Sequence, residues 1–131
     1  MSEYKKDFDK WNKIKKQTHQ KENLKTFHDR EIWFLKIGEN IGFEQDGKGD
    51  EFLRPVLIYK KFSRNVFLGI PLTTSEKSSK FYHTFVFQNK KSTAILSQIR
   101  LFDSKRLKYK VGRVSPKDFE DIKKKIIELI Q

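Results

Sequence analysis

Several residue types and patterns are scarce or missing in this chain of 131 residues, and each absence excludes a class of protein. There are no cysteines, which excludes a disulfide scaffold, an iron–sulfur cluster, a zinc site with cysteine ligands and a cysteine nucleophile. No apolar run approaches the roughly 18 residues of a membrane-spanning helix. The N-terminal residues lack the apolar stretch of a secretory signal. We therefore expect a cytoplasmic protein without a membrane segment, and we expect no cofactor.

Basic and aromatic residues are abundant instead. The 29 Lys and Arg residues outnumber the 17 Asp and Glu residues, giving a formal net charge of +12, and aromatic residues make up 14% of the chain. Disordered chains have few aromatic residues, so we expect a folded domain with a polyanion as its partner. A single lysine is usually only a solvated surface group. Together, however, the basic residues favour a surface that follows a phosphate backbone.

Hydrophobic spacing divides the chain into an N-terminal helix, about five strands and a C-terminal helix. An apolar stripe at helical spacing predicts a basic amphipathic helix over residues 1–29. Short aromatic and β-branched runs predict the strands, and a glycine-rich loop separates the first two, at residues 38–53. Ser115 as N-cap and Pro116 at the first helical position predict the last helix. This order favours an α+β domain over residues 30–131, built on a small antiparallel β-barrel.

Three smaller features are also predicted. Asp103 is placed to cap a single helical turn, and residues 89–92 are expected to form the turn between two strands. His83 alternates with Phe81, Phe85 and Phe87 on one face of a strand, which favours a packed core or rim position over an acid–base role. The three histidines are too scattered in sequence to suggest a metal site.

Two pieces of the chain carry candidate chemistry. Arg54 precedes a buried strand, where its guanidinium suits a bidentate phosphate clamp. The alternative is that Arg54 pairs with Glu44 or Asp50 to hold the loop. A second strand ends in Thr73, Thr74 and Ser75, whose hydroxyls either donate hydrogen bonds to phosphate oxygens or only shape a turn. The sequence contains no GxSxG, P-loop, GxGxxG or HExxH pattern.

Several short segments, in order, resemble the MazF/PemK family of toxin–antitoxin ribonucleases. They are Glu31-Ile32-Trp33-Phe34 with Gly42-Phe43-Glu44-Gln45, then Arg54-Pro55-Val56-Leu57-Ile58, Pro71-Leu72-Thr73-Thr74, and Ile95-Leu96-Ser97-Gln98-Ile99-Arg100 with Asp103 and Lys105-Arg106-Leu107. The resemblance covers residues 30–131. It departs from the family where residues 46–53 lengthen the loop, and where Phe43 and Ser97 replace the histidine and the acid of some members.

The resemblance implies an SH3-like barrel, a homodimer and cleavage of single-stranded RNA, such as mRNA, without metal. It assigns catalysis to Arg54 and Thr73, and a small antitoxin protein as regulator. The residues expected to contact RNA are Glu44, Gln45, Lys60, Thr74, Ser75, Gln98 and Arg100.

The expected chemistry uses the nucleophile that RNA itself carries, the ribose 2′-OH. The protein aligns that oxygen with the phosphorus and stabilises charge on the phosphate. The products would be a 2′,3′-cyclic phosphate and a 5′-OH. The sequence leaves the general base open between Glu44 and His83. Two other functions also stay open: a nucleic-acid-binding barrel without catalysis, and a toxin directed at DNA gyrase.

Overall fold

The structure, a computed structural model, describes residues 25–37 and 53–131. Within these ranges the chain forms seven strands, two 3₁₀ turns and one helix. The strands are β1 (Glu31–Lys36), β2 (Leu53–Lys61), β3 (Val66–Thr73), β4 (Tyr82–Phe87), β5 (Lys90–Ile95), β6 (Arg100–Asp103) and β7 (Leu107–Arg113). The 3₁₀ turns are Leu96–Gln98 and Ser104–Arg106, and the helix is α1 (Pro116–Ile130). No helix in the described ranges is long and apolar enough to cross a membrane.

The strands form one curled antiparallel sheet in the order β4-β5-β3-β2-β1-β7, with β6 paired to β3. Strand β3 changes partner along its length: its first half pairs with β6 and its end pairs with β5. Close packing accompanies this change, because a Cβ on Gly69 would lie 2.7 Å from Cγ1 of Val56 and 2.9 Å from Cδ2 of Phe102. Glycine is therefore required where β2, β3 and β6 come together.

Both faces of the sheet are apolar, and each face contributes to a separate buried cluster. Ile32 and Leu57 pack toward α1, whose buried residues are Phe119, Ile122 and Ile126. Their neighbours in sequence, among them Trp33 and Val56, point to a second cluster on the other face. A strand buried on both faces has a nearly continuous apolar sequence. This explains why the first strands show little alternation.

The predicted C-terminal helix and the predicted helical turn are both confirmed. The Ser115 hydroxyl accepts a hydrogen bond from the Asp118 backbone N–H at 3.1 Å, and α1 begins at Pro116. The Asp103 carboxylate accepts from the Lys105 backbone N–H at 2.8 Å and caps the second 3₁₀ turn. The described residues contain seven strands where about five were expected, because short 3₁₀ turns divide the last strand runs.

The turn predicted at residues 89–92 is wrong in position. Gln88 and Asn89 make the turn, with φ of 51° and 63°, and β5 begins at Lys90. Two-residue hairpin loops need positive φ at both central residues, and asparagine tolerates this conformation better than most residues. The turn is therefore shorter than its polar sequence suggested.

The N-terminal helix is predicted over residues 1–29. Residues 25–29, the part of this range that the structure describes, are not helical. Residues 25–28 have no regular secondary structure and residues 29–30 form a turn; residues 1–24 lie outside the described residues. Phe27 is fully buried in the second cluster, and the Arg30 backbone N–H donates to the Ile58 carbonyl at 2.8 Å. Contacts with the sheet thus hold this segment out of a helix. The domain boundary between residues 29 and 30 stays a prediction. Of the loop expected at residues 38–53, residues 38–52 lie outside the described residues, and Leu53 is the first residue of β2.

Candidate functional site

Arg54 lies near the start of β2 with only 3% of its surface exposed. It faces Leu35 of β1 across the sheet. On the other side, β2 and β3 pair with Val56 opposite Pro71. This register, continued by two residues, brings Arg54 across from Thr73, the last residue of β3. The two residues that the sequence singled out come from separate strands and meet through strand pairing.

Arg54 and Thr73 line one cavity of about 280 Å³. Its wall is polar and contains two cationic side chains, several hydroxyls and one amide. No carboxylate lies among the described residues of this wall, which are Arg54, Thr73, Ser75, Lys77, Tyr82, Ile95, Ser97 and Gln98. Positive charge and hydroxyl donors suit a phosphate, and this wall offers no set of oxygen ligands for a metal.

The Thr73 hydroxyl has two roles that are compatible. Its oxygen accepts a hydrogen bond from the Ser75 backbone N–H at 3.2 Å, which shapes the chain where β3 ends. A hydroxyl has one donor hydrogen besides its acceptor lone pairs, so the Thr73 hydrogen stays available to a ligand. Thr93 faces Thr73 from β5 and is fixed by a 2.8 Å hydrogen bond with Thr84 of β4. Turn geometry and phosphate contact are therefore not exclusive alternatives here.

A second cavity of about 210 Å³ adjoins the first and shares Ser97 and Gln98 with it. Its other described lining residues are mainly apolar: Ile37, Pro71, Ile99, Arg100 and Phe102. The Arg100 guanidinium lies over the Phe102 ring, 4.7 Å from its centroid. The 3₁₀ turn Leu96–Gln98 thus separates a polar, cationic cavity from one with an apolar wall and one cation.

The structure does not bring every predicted site residue to the first cavity. Lys60 is exposed on β2, six residues from Arg54, a distance of about 20 Å along a strand. Thr74 lines a neighbouring groove with Phe34 and Phe87. Glu44 and Gln45 lie outside the described residues, as does the alternative pairing of Arg54 with Glu44 or Asp50.

His83 faces α1 and is not among the residues that line the first cavity. Its ring stacks on Phe85 with a centroid distance of 6.2 Å, and Phe85 and Phe87 pack in the cluster under α1. Burial, aided by the charge of Lys125, lowers the pKa of His83 below its usual value. The packed position expected from the alternating sequence is thus the one observed.

The sequence analysis missed Lys77 and Tyr82, two polar residues of the cavity wall. Lys77 lies in the polar loop after β3, and its carbonyl accepts a hydrogen bond of 3.5 Å from the Thr84 hydroxyl. Nothing in the loop's sequence distinguishes this lysine from its neighbours. Tyr82 had a usable signal, because strand alternation already separated it from the face of His83.

Comparisons with known proteins agree with this architecture. Residues 29–130 match the model of one protein family, described as PemK-like, MazF-like toxin of type II toxin-antitoxin system. No curated protein matches the chain. The crystal structure of MazF from Deinococcus radiodurans is similar, with a TM-score of 0.66 at 17% identity, covering 81% of this chain and 97% of that one.

Two further solved structures share the fold at low identity. The Mycobacterium tuberculosis toxin MazF-mt6 has a TM-score of 0.59 at 14% identity, with 77% of this chain and 96% of that chain covered. A mycobacterial endoribonuclease in complex with its cognate antitoxin has a TM-score of 0.61 at 13% identity, with coverages of 80% and 95%. The family match covers most of the sequence, and the chain therefore belongs to the PemK-like, MazF-like toxin family of type II toxin–antitoxin systems.

Proposed function

We propose that this protein is a toxin endoribonuclease that cleaves single-stranded RNA, including mRNA, without a metal ion. The observation that carries the proposal is the shared cavity of Arg54 and Thr73, whose described wall is cationic and rich in hydroxyls. Such a wall complements a phosphodiester, and β2 and β3 hold the two groups on rigid strands of a barrel that we propose to be SH3-like. The family match, together with the structural similarity to a mycobacterial endoribonuclease, supports the same function.

The reaction is a displacement at phosphorus. The ribose 2′-oxygen forms a bond to phosphorus as its proton leaves to a base, and the bond to the 5′-oxygen breaks as that oxygen takes up a proton from a general acid or from solvent. The products are a 2′,3′-cyclic phosphate and a 5′-OH. No covalent enzyme intermediate forms in this step, and no water molecule is consumed. The protein has to align the two oxygens with phosphorus and stabilise the charge on the non-bridging oxygens.

Arg54 stabilises that charge through charge-assisted hydrogen bonds, because a guanidinium stays protonated at neutral pH. Thr73 donates its hydroxyl hydrogen to a second non-bridging oxygen. Ser75 and Lys77 contribute a donor and a positive charge on the same wall. Of the two candidate bases, His83 has its nitrogens buried against α1, so we propose Glu44 for this role.

Base contacts are proposed for the adjoining cavity. An unpaired base can stack on a guanidinium or an aromatic ring and offer its edge to an amide. Arg100 and Gln98 bring a guanidinium and an amide together beside the first cavity, and the buried Phe102 ring supports the guanidinium from beneath. We further propose RNA contacts for Gln45, Lys60, Thr74 and Ser75, and a cytoplasmic homodimer regulated by a small antitoxin. Relatives crystallised with an antitoxin support that last partner.

The proposal is tested with a defined single-stranded RNA incubated with the protein in excess EDTA. We expect discrete fragments with a 5′-OH, which polynucleotide kinase labels directly, and a 2′,3′-cyclic phosphate, which acid opens. The same strand with a single 2′-deoxy nucleotide at the cleavage position is the matched control and should stay intact there. Cleavage of the deoxy substrate at that position would contradict attack by the 2′-oxygen.

The remaining outcomes favour the other two functions. RNA that stays intact but is retained by the protein at low salt would favour a binding module without catalysis. A stable complex with DNA gyrase, together with no salt-sensitive RNA affinity, would favour the gyrase-directed toxin. Either outcome would overturn the endoribonuclease proposal.

A further inference from the structure

His83, Asp118 and Asp121 come together at the contact between β4 and the first turns of α1. One ligand-type atom from each side chain lies within 4.8 Å of the others, and all three residues are partly buried. No other such group of three histidine or acidic residues occurs in the part of the chain that the structure describes. The sequence hides this cluster, since 35 and 38 residues separate the histidine from the two acids.

The His83 ring supplies a second, independent observation. Both its Nδ1 and its Nε2 are buried, and neither has a hydrogen-bond partner among the described residues. A buried polar atom without a partner costs free energy, and in native structures it often marks a bound water or ion. A neutral imidazole offers a nitrogen lone pair, the form in which histidine binds metals.

We propose that His83, Asp118 and Asp121 form a binding site for a divalent cation of the Zn²⁺ type, which joins β4 to α1. One imidazole nitrogen and two carboxylate oxygens are a common ligand set for this ion, with ligand distances of about 2.0–2.2 Å. Tetrahedral ligands at that distance lie about 3.4 Å apart, so the three side chains close by about an ångström on binding. The site is separate from the cavity of Arg54 and Thr73 and does not depend on RNA cleavage.

The positive charges around the three side chains determine how many carboxylates the site needs to bind a cation. The Lys117 ammonium lies 3.8 Å from the Asp121 carboxylate, and this contact is mostly exposed. The Lys125 ammonium donates to the Tyr82 carbonyl at 3.4 Å, and the Ser115 hydroxyl contacts Asp118 at 3.1 Å. The helix N-terminus adds positive potential. Both carboxylates are therefore needed to attract a cation, and the loss of one should abolish tight binding.

The test measures Zn²⁺ affinity and thermal unfolding of the full chain in a buffer without chelator. We expect micromolar binding and a rise in unfolding midpoint of about 5 °C or more at roughly 100 times the dissociation constant. Asp121→Asn keeps the side-chain shape and His83→Phe keeps the stack on Phe85. Each should weaken Zn²⁺ binding at least about tenfold.

Glu120→Gln is the matched control, because it removes one negative charge from the neighbouring exposed position of α1. Binding should be unchanged in this variant. Three outcomes would each overturn the site. They are equal binding by Asp121→Asn and the native chain, equal weakening by Glu120→Gln, and no binding at about 100 µM Zn²⁺, which is roughly 100 times the expected micromolar dissociation constant. RNA cleavage in excess EDTA is scored separately, so failure of the metal site and failure of the nuclease proposal are distinguishable.

Discussion

Among the residues that the structure describes, two charged side chains are almost fully buried in the sheet, Arg54 and Glu31, and their surroundings differ. Arg54 lines a cavity whose other described polar groups are hydroxyls, an amide and the Lys77 ammonium. Glu31 is 1% exposed and is surrounded by donors from the protein itself. A buried charge needs partners. The described partners of Glu31 all come from the fold, whereas Arg54 also borders a cavity that has room for an anion.

The Glu31 carboxylate has partners from three parts of the chain. One oxygen accepts from Trp33 Nε1 at 3.0 Å and from the His28 backbone N–H at 2.8 Å. The other lies 3.4 Å from Arg113 and 3.5 Å from Lys110. Burial alone would raise the pKa of Glu31, but these hydrogen bonds and charges together lower it. Glu31 therefore fastens β1 to β7 and to the segment before β1.

The comparison teaches that burial alone does not identify a functional charge. Glu31 is as buried as Arg54 and borders no described cavity, and several donors of the fold hold its carboxylate, so we expect its loss to affect stability. Arg54 shares its cavity with donors and with no described acid, so we expect its loss to affect catalysis. The predictions below test this division, from the largest expected effect to the smallest.

Replacing Arg54 should have the largest effect. Arg54→Met keeps most of the aliphatic stem and removes the guanidinium, so RNA cleavage should fall by about 100- to 1000-fold. Single-turnover rates on the defined RNA measure the loss. Native-like activity in a folded Arg54→Met protein would remove Arg54 from the site.

Thr73→Val should lower the cleavage rate by about 10- to 100-fold, because it removes one hydrogen bond to a charged phosphate oxygen. Thr73→Ser should restore most of the rate, since it returns the hydroxyl. Thr74→Val is the matched control on the neighbouring residue: it removes a proposed RNA contact outside the first cavity, so the single-turnover rate at saturating RNA should change little. If Thr74→Val is as slow as Thr73→Val, the hydroxyl of Thr73 has no special role.

Glu31→Gln should destabilise the fold by about 1–3 kcal/mol, because buried hydrogen bonds to a charged acceptor are weakened. Denaturant unfolding measures this change. The cleavage rate of the molecules that remain folded should stay close to native. An unchanged unfolding free energy would show that the partners of Glu31 contribute no stability.

The stability that Glu31 contributes to the fold should also decrease as the pH falls. A lowered pKa in the folded state stabilises the protein above the unfolded value, near 4.5, and the stabilisation is lost as pH falls through the folded pKa. The difference in unfolding free energy between native protein and Glu31→Gln should be constant above about pH 5.5 and shrink in acid. A difference that grows below pH 4.5 would contradict the lowered pKa.

Arg100→Ala should have the smallest effect, a loss of a few-fold in RNA affinity. Removing one phosphate or base contact by a cation should reduce the salt slope of RNA binding by about 0.7. Lys124→Ala provides a comparison with an exposed cation of α1 that lines neither cavity. An equal effect of the two substitutions would indicate general electrostatic attraction and no particular role for the second cavity.

Much of the fold follows from local patterns in the sequence. Ser115 and Pro116 define the start of α1, and Asp103 defines the start of the 3₁₀ turn Ser104–Arg106. Both are readable from the sequence because a cap depends on residues that are neighbours in the chain. The shared cavity was predicted only through motif resemblance. Its lysine, Lys77, was missed, since strand pairing and loop geometry bring it to Arg54. The His83 cluster was missed for the same reason: contacts between distant residues leave no periodic signal.

The central claim is that the fold uses Glu31 for stability and Arg54 for chemistry. It is tested most directly by measuring unfolding free energy and EDTA-resistant RNA cleavage on the same preparations of Glu31→Gln and Arg54→Met. We predict a crossed result: Glu31→Gln unfolds more easily and cleaves at close to the native rate, whereas Arg54→Met remains folded and cleaves at least about 100-fold more slowly. Cleavage retained by Arg54→Met, or lost by folded Glu31→Gln, would contradict the account.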